Sequence, residues 1–251
     1  NSKMKINLDK IKQEKDTEEL LEFGIINLDK PSEPTSFKAA EMVKKKLDLS
    51  KMSHFGTLDP KVTGVLPIAT NRACKLTRWF MKKDKTYVGV MKIHERVEKE
   101  KLEKEMKKFV GKIKQLPPKK SSVKREERVR EVYYWNLLEY DKKKSLALFR
   151  TKVEKGTYIR KLIHDMGKNI GGAHMTELRR ARAGIFSEKD ENFVNMYDLD
   201  KAVKNWREGN DEKLREIIIP GEIIGKIMPT MQVKESKIKQ LRSGKPLFKE
   251  D

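Results

Sequence analysis

Apolar positions along the chain follow two rhythms. Some segments are short continuous runs: Phe23 to Leu28, stopped by Asp29-Lys30-Pro31, and Val62 to Thr70, which contains Val65-Leu66-Pro67-Ile68-Ala69. Both read as short buried strands. Other segments alternate, as in Thr86 to His94, where Tyr87, Gly89, Met91 and Ile93 share one face. Val132 to Tyr140 and Leu146 to Val153 form a hairpin pattern around Asp141-Lys-Lys-Lys. Helical spacing recurs between them. Thr35 or Ser36 can cap a helix with Phe37, Ala40, Val43 and Leu47 on one face, and Ala73, Leu76 and Phe80 mark a second. Glu98 to Ile113 reads as one amphipathic helix on Leu102, Met106, Phe109, Val110 and Ile113. Thr157 to Ile170 is another, ended by Gly171-Gly172. A basic-edged strand from Met175 to Phe186 and helices over Tyr197–Trp206 and Glu212–Ile219 follow. The expected fold class is α+β (mixed α/β), with a central, largely antiparallel sheet flanked by helices and no internal repeat.

The ends differ from this middle. Residues 1–20 hold five Lys and five acids with few large apolar groups, so they dock on another surface or fray. Met231 to Leu247 reads as a strand and helix opening a further unit, and the chain stops before that unit could close a core.

Charge narrows the partner class. The 251 residues carry 58 Lys+Arg against 38 Asp+Glu, a formal net charge of +20. A heat-adapted Lys/Glu surface would be near balance; this excess points to a polyanion, with nucleic acid first. The most basic stretch, Lys112 to Arg130, has eight cations and two acids and is broken by Pro117-Pro118 and Ser121-Ser122. It reads as an exposed loop suited to gripping phosphates, through Lys119, Lys120, Lys124 and Arg125. One cysteine, Cys74, fits a reducing intracellular compartment and a core thiol. The four His and Cys74 show no metal-ligand spacing, and neither a phosphate-binding loop nor a dinucleotide fingerprint is present. A cofactor-free enzyme or a binding protein is favoured.

One stretch looks built for chemistry: His54-Phe-Gly-Thr-Leu-Asp-Pro-Lys-Val-Thr-Gly64. Its carboxylate, Asp59, stands between Gly56 and Pro60, a rigid placement, although a Leu-Asp-Pro turn by itself is usually only a turn. Arg160 falls in the first turn of a helix, where a cation opposes the dipole and a partner carboxylate would explain it. His164-Asp165 lacks companion ligands and reads as a surface or core pair.

Several separated pieces together resemble a known family. They are Asn27-Leu-Asp-Lys-Pro-Ser, His54 to Leu66, Lys85-Thr-Tyr, and Glu154-Lys-Gly-Thr-Tyr-Ile-Arg with Gly172-Ala-His-Met-Thr-Glu-Leu-Arg-Arg. They are similar to the TruB-type pseudouridine synthases, most of all the dyskerin branch in its archaeal form, and the similarity spans about residues 23 to 230 in the family's order. The resemblance implies an extension at 1–22, a pseudouridine synthase catalytic domain at 23–229, and an incomplete PUA fragment at 230–251. It implies Asp59 as the catalytic aspartate, Arg160 as its ion-pair partner and Tyr87 as the ring stacked on a flipped uridine. His54 and Thr57 would lie by the extruded nucleotide, Leu178 would line the base pocket, Lys30 would buttress the site, and Arg179 and Arg180 would line the RNA track. It further implies no metal or cofactor, a cytoplasmic location for an archaeal form, and as partners a box H/ACA guide RNA, a substrate RNA and small Nop-type and Gar-type subunits. Phe55 departs from the family, which often has a small residue there. The alternatives are a stand-alone synthase for the tRNA T-loop and a non-catalytic RNA-binding scaffold.

Overall fold

The two apolar runs pair with each other at the centre of the molecule. The computed structural model describes residues 6–121 and 123–228; the expected unit over 231–247 lies outside them. Strand β1 (Phe23–Lys30) runs antiparallel to β3 (Thr63–Asn71) along its whole length, from Phe23↔Asn71 to Lys30↔Gly64. Short strands β2 (Met52–His54), β10 (Val194–Asn195) and β11 (Ile219–Pro220) flank this pair. A second group comprises β4 (Lys85–Ile93), β5 (Gly111–Gln115), β6 (Arg128–Asp141), β7 (Leu146–Val153) and β8 (Ala173–Ala183), with β9 (Phe186–Ser187) beside β8. The described residues form one sheet in the order β10-β1-β3-β8-β4-β7-β6-β5, antiparallel except at β1–β10 and β3–β8.

The two sequence rhythms have a packing cause. In the β1–β3 half both faces are covered, so neither face can be polar. Ile26, Leu28, Leu66 and Ile68 face a core shared with helices α2 (Thr17–Glu22), α3 (Ser36–Lys46), α7 (Met196–Arg207) and α8 (Glu212–Ile217). Ile25, Val65 and Ala69 face a second core with Phe55, Phe80 and Phe186. In the β4–β8 half only one face is packed, under α5 (Lys99–Lys107) and α6 (Ile159–Gly167), and β7 alternates half-buried and buried along its length.

The halves join narrowly. β3 and β8 share only the parallel pairs Thr63↔Arg179 and Gly64↔Arg180. Backbone approach there is so close that a Cβ on Gly64 would fall 2.3 Å from the Arg180 carbonyl oxygen, and Gly64 has φ +107°. Gly64→Ala is expected to cost about 3 kcal/mol, from the unfavourable φ and the backbone clash together. Urea unfolding within about 1 kcal/mol of wild type would contradict this.

Several expectations are corrected. Helix α5 ends at Lys107 and the chain turns through Gly111 (φ +103°) into β5, so Glu98–Ile113 is not one helix. Lys112 to Arg130 is not all loop: its ends are β5 and the start of β6, leaving residues 116–127 as the connection. On α3, Ala39 rather than Phe37 faces the core, and Phe37 is 62% exposed. The N-terminal segment does not fray over its described part. Helices α1 (Leu8–Glu14) and α2 dock on the chain's own residues 211–222, through Lys15–Glu222, Thr17–Asp211 and Arg215 donating to the carbonyls of Lys12 and Lys15. Among the described residues no helix is long and apolar enough to cross a membrane.

Candidate active site

Asp59 lies on the connection between β2 and β3, where the two halves of the sheet meet. The backbone on either side of it is fixed by buried side chains. Ser36 Oγ accepts from the Leu58 amide at 2.7 Å and donates to the Leu58 carbonyl at 2.9 Å. Lys30 is 0% exposed and donates to the carbonyls of Pro31, Pro34 and Pro60 at 2.8, 2.8 and 2.7 Å. The Glu33 amide shares the Pro60 carbonyl at 2.9 Å, and the Asp59 carbonyl accepts from Val62 at 2.9 Å. Burial lowers the Lys30 pKa, opposed by the negative charges of Glu33 and Asp59. Lys30 therefore braces the loop from within, and the Asp59 side chain projects exposed from a loop held on both flanks. A fixed backbone with a free carboxylate is the geometry that catalytic acids and nucleophiles need.

Phe55, the departure from the family pattern, supplies packing beneath this loop. It is 1% exposed, stacks on Phe80 at 4.7 Å and meets Phe186 at 5.9 Å. His54, one residue earlier, is half-buried with an unpartnered Nδ1. Burial, and secondly the Arg180 charge, lower its pKa, so the imidazole is neutral at neutral pH. Thr57 is exposed on the loop.

Tyr87 and Leu178 stand on adjacent strands, β4 and β8, and are half-buried. Each packs against the core of both halves. Leu178 pairs with Gly89, whose missing Cβ would lie 3.0 Å from the Leu178 Cδ1. An aromatic ring and an apolar side chain thus sit at the seam that also carries the Asp59 loop.

The arginines do not sit as expected. Asp59 and Arg160 form no salt bridge among the described residues: Arg160 is exposed on α6, which packs on the β4–β8 half, while Asp59 belongs to the β1–β3 half. Arg179 is engaged internally, bidentate to Asp29 at 3.0 and 3.2 Å and bonded to Glu188 at 2.8 Å. Arg180 is 1% exposed, donating to the Val65 and Gly56 carbonyls at 2.8 and 3.1 Å. A buried guanidinium cannot grip a phosphate, so Arg180 does not line an RNA track. Lys119, Lys120, Lys124 and Arg125 are exposed, with Lys124 paired to Glu126.

Two residues inside the quoted motifs carried no role in the sequence reading. Tyr158 anchors the base of the basic connection: its amide donates to Gln115 Oε1 at 2.9 Å, its carbonyl accepts from Gln115 Nε2 at 3.1 Å, and its hydroxyl meets Ser121 Oγ at 3.2 Å. Its position two residues before Arg160 was the available signal. Lys85 is 7% exposed and donates to the carbonyls of Met81 and Lys83. Burial, then the charge of Arg180, against Asp84 and with Lys155, lowers its pKa from 10.5 to about 8. The unfolded chain therefore binds more protons between those values, and stability rises with pH across that window. Wild type should gain on the order of 2–3 kcal/mol relative to Lys85→Met between about pH 7.5 and 10.5. Equal pH slopes in urea unfolding would contradict this. Cys74 is half-buried and its pKa is raised by burial, in keeping with an unreactive thiol.

Known proteins resemble this chain. The TruB family pseudouridylate synthase N-terminal domain matches residues 44–99 and 92–159, and the tRNA pseudouridylate synthase B C-terminal domain matches residues 160–224. A probable tRNA pseudouridine synthase B of Methanopyrus kandleri is 44% identical over 234 residues, 92% of this chain and 68% of that protein. Its counterpart in Thermococcus onnurineus is 45% identical over 90% of this chain and 68% of its own length. Among solved structures, a Cbf5–Nop10–Gar1 complex contains a chain 42% identical with a TM-score of 0.87, covering 93% of this chain and 70% of that one. An H/ACA ribonucleoprotein bound to a substrate RNA containing 2'-deoxyuridine contains another, 40% identical with a TM-score of 0.85, over 94% of this chain and 71% of that one. By these matches, the chain belongs to the TruB family of pseudouridylate synthases.

Proposed function

We propose that this pseudouridine synthase works as the catalytic subunit of a guide-RNA particle, with Asp59 as the group that starts the chemistry. The observation that carries the catalytic part is the exposed Asp59 carboxylate on a loop pinned by Lys30 and Ser36. A uridine flipped from its strand enters the seam, stacks on Tyr87 and packs on Leu178, with His54 and Thr57 beside it. The bond from ribose C1′ to N1 breaks, the base turns, and C1′ bonds to C5; the hydrogen lost from C5 is balanced by one gained at N1. No oxidant, reductant or external group is consumed. Arg160 is the partner proposed for Asp59 in the RNA-bound state, where a guanidinium at ion-pair distance would favour the carboxylate.

The guided reading is supported by likeness to Cbf5 chains in complexes with Nop10, Gar1 and H/ACA RNA. It makes residues 23–229 the catalytic domain, 1–22 an extension and 230–251 the opening of a PUA unit, acting in the cytoplasm. The curated relatives' names favour the alternative, a stand-alone enzyme for tRNA. The deciding assay offers bare tRNA in parallel with guide, target and Nop10-type and Gar1-type partners. Product only in the second mixture is expected; efficient modification of bare tRNA would reverse the reading.

The basic connection should set RNA affinity without touching chemistry. Replacing Lys119, Lys120, Lys124 and Arg125 by Gln is expected to reduce the slope of log affinity against log salt by up to about 3. An unchanged slope would mean that these side chains do not meet phosphates.

A further inference from the structure

Arg180 is a buried cation with no carboxylate partner among the described residues. Taking a charge out of water costs several kcal/mol unless hydrogen bonds and opposite charge compensate, so such a group is retained for what it holds. Its two carbonyl acceptors are telling. Gly56 begins the loop that leads to Asp59, and Val65 lies in the strand that leaves it, so one guanidinium ties the loop's entry to its exit. The same residue is paired with Tyr87 across β4 and β8 and with Gly64 across β3 and β8. The Tyr87 side chain is also the polar neighbour that favours the charge against burial. The close approach at Gly64 depends on glycine, since a Cβ there would fall 2.3 Å from the Arg180 carbonyl oxygen; at Gly56 a Cβ would meet the guanidinium Nη1 at an ordinary 3.4 Å, and it is the φ of +93° that favours glycine.

We infer that Arg180 is a positioning residue, which fixes the Asp59 loop and the Tyr87 ring relative to one another across the junction of the two half-sheets. It acts through these groups and touches neither base nor phosphate. The inference rests on the catalytic reading of Asp59 and Tyr87, and the expected consequence is a loss in the chemical step with RNA binding spared. Catalysis is sensitive to displacements of about 1 Å at this distance from the reacting atoms.

The test uses the full chain with guide, target and partner subunits, at enzyme concentrations that saturate the RNA. Arg180→Lys keeps the charge but cannot span both carbonyls, and Arg180→Met keeps the volume alone. Each should lower the single-turnover rate of pseudouridine formation by roughly 30-fold or more while RNA Kd changes by less than about 3-fold. In a Tyr87→Phe background, adding Arg180→Lys should cost much less than it does alone, because one arrangement is already damaged. A wild-type rate for Arg180→Lys, fully additive losses, or a weakened Kd with an unchanged rate would each overturn the inference. Should Arg180→Met not fold, the Lys variant and the double-variant comparison decide alone. Absence of product from wild type, or full activity in Asp59→Asn, would instead strike the catalytic reading.

Discussion

Asp59→Asn is expected to bind RNA as wild type does and to leave every uridine unchanged. The substitution removes one negative charge from an exposed side chain and alters none of the contacts that shape its loop. Those contacts come from Lys30, Ser36 and Glu33 and end on the carbonyls and amides of Leu58 and Pro60. Melting temperature should therefore stay within about 2 °C. An amide can neither attack carbon nor accept a proton at neutral pH, so the single-turnover rate should fall by more than about 10³-fold. Mass spectrometry of digested RNA gives the rate, and filter binding gives the affinity. Loss of binding in parallel with product would assign Asp59 to RNA recognition; retained product would leave the scaffold reading standing.

Lys30→Met should have the largest effect on stability. Lys30 is fully buried and its ammonium donates to three carbonyls, of which the Pro60 carbonyl also receives the Glu33 amide. Methionine fits the volume but leaves those acceptors short of a donor, at about 1–3 kcal/mol each where no other donor replaces it. Removing a buried charge recovers part of that, because the ammonium is desolvated in wild type. The balance is a loss of roughly 3–5 kcal/mol in urea unfolding. Under conditions where the variant is still folded, the Asp59–Pro60 turn is no longer anchored, and the rate should fall at least about tenfold. A stable variant with full activity would show that Ser36 and Glu33 suffice to hold the loop.

Much of the molecule was legible in its sequence because local rules and tertiary packing agreed. The β1 and β3 runs are apolar throughout since two cores enclose them, and β4 alternates since one core does. Where prediction failed, a tertiary partner or an edge position overrode the local pattern. Phe37 fits the helical stripe, yet the smaller Ala39 faces the core. Val110 and Ile113 continue the α5 spacing, but Gly111 reverses the chain and Ile113 serves a strand. Lys112 and Lys114 disguised that strand because it lies at the sheet's edge, with its charged residues outward.

The site was legible in parts. Asp59, Tyr87, Leu178 and Lys30 were singled out by motif resemblance, and the structure places Tyr87 and Leu178 on adjacent strands against both cores and Lys30 under the loop. Arg179 and Arg180 looked like surface cations because a sequence shows charge but not the carbonyls and carboxylates that receive it. The Asp59–Arg160 ion pair is not formed, since the two residues belong to different half-sheets joined by two register pairs.

The most direct measurement is a mass map of pseudouridine in one target RNA under two guides that designate different uridines. With wild-type chain and partner subunits, product should appear at the designated uridine and move when the guide is exchanged. The same map with Asp59→Asn should be blank at matched RNA occupancy. Product that ignores the guide, or that persists without the Asp59 carboxylate, would contradict a guided synthase centred on this loop.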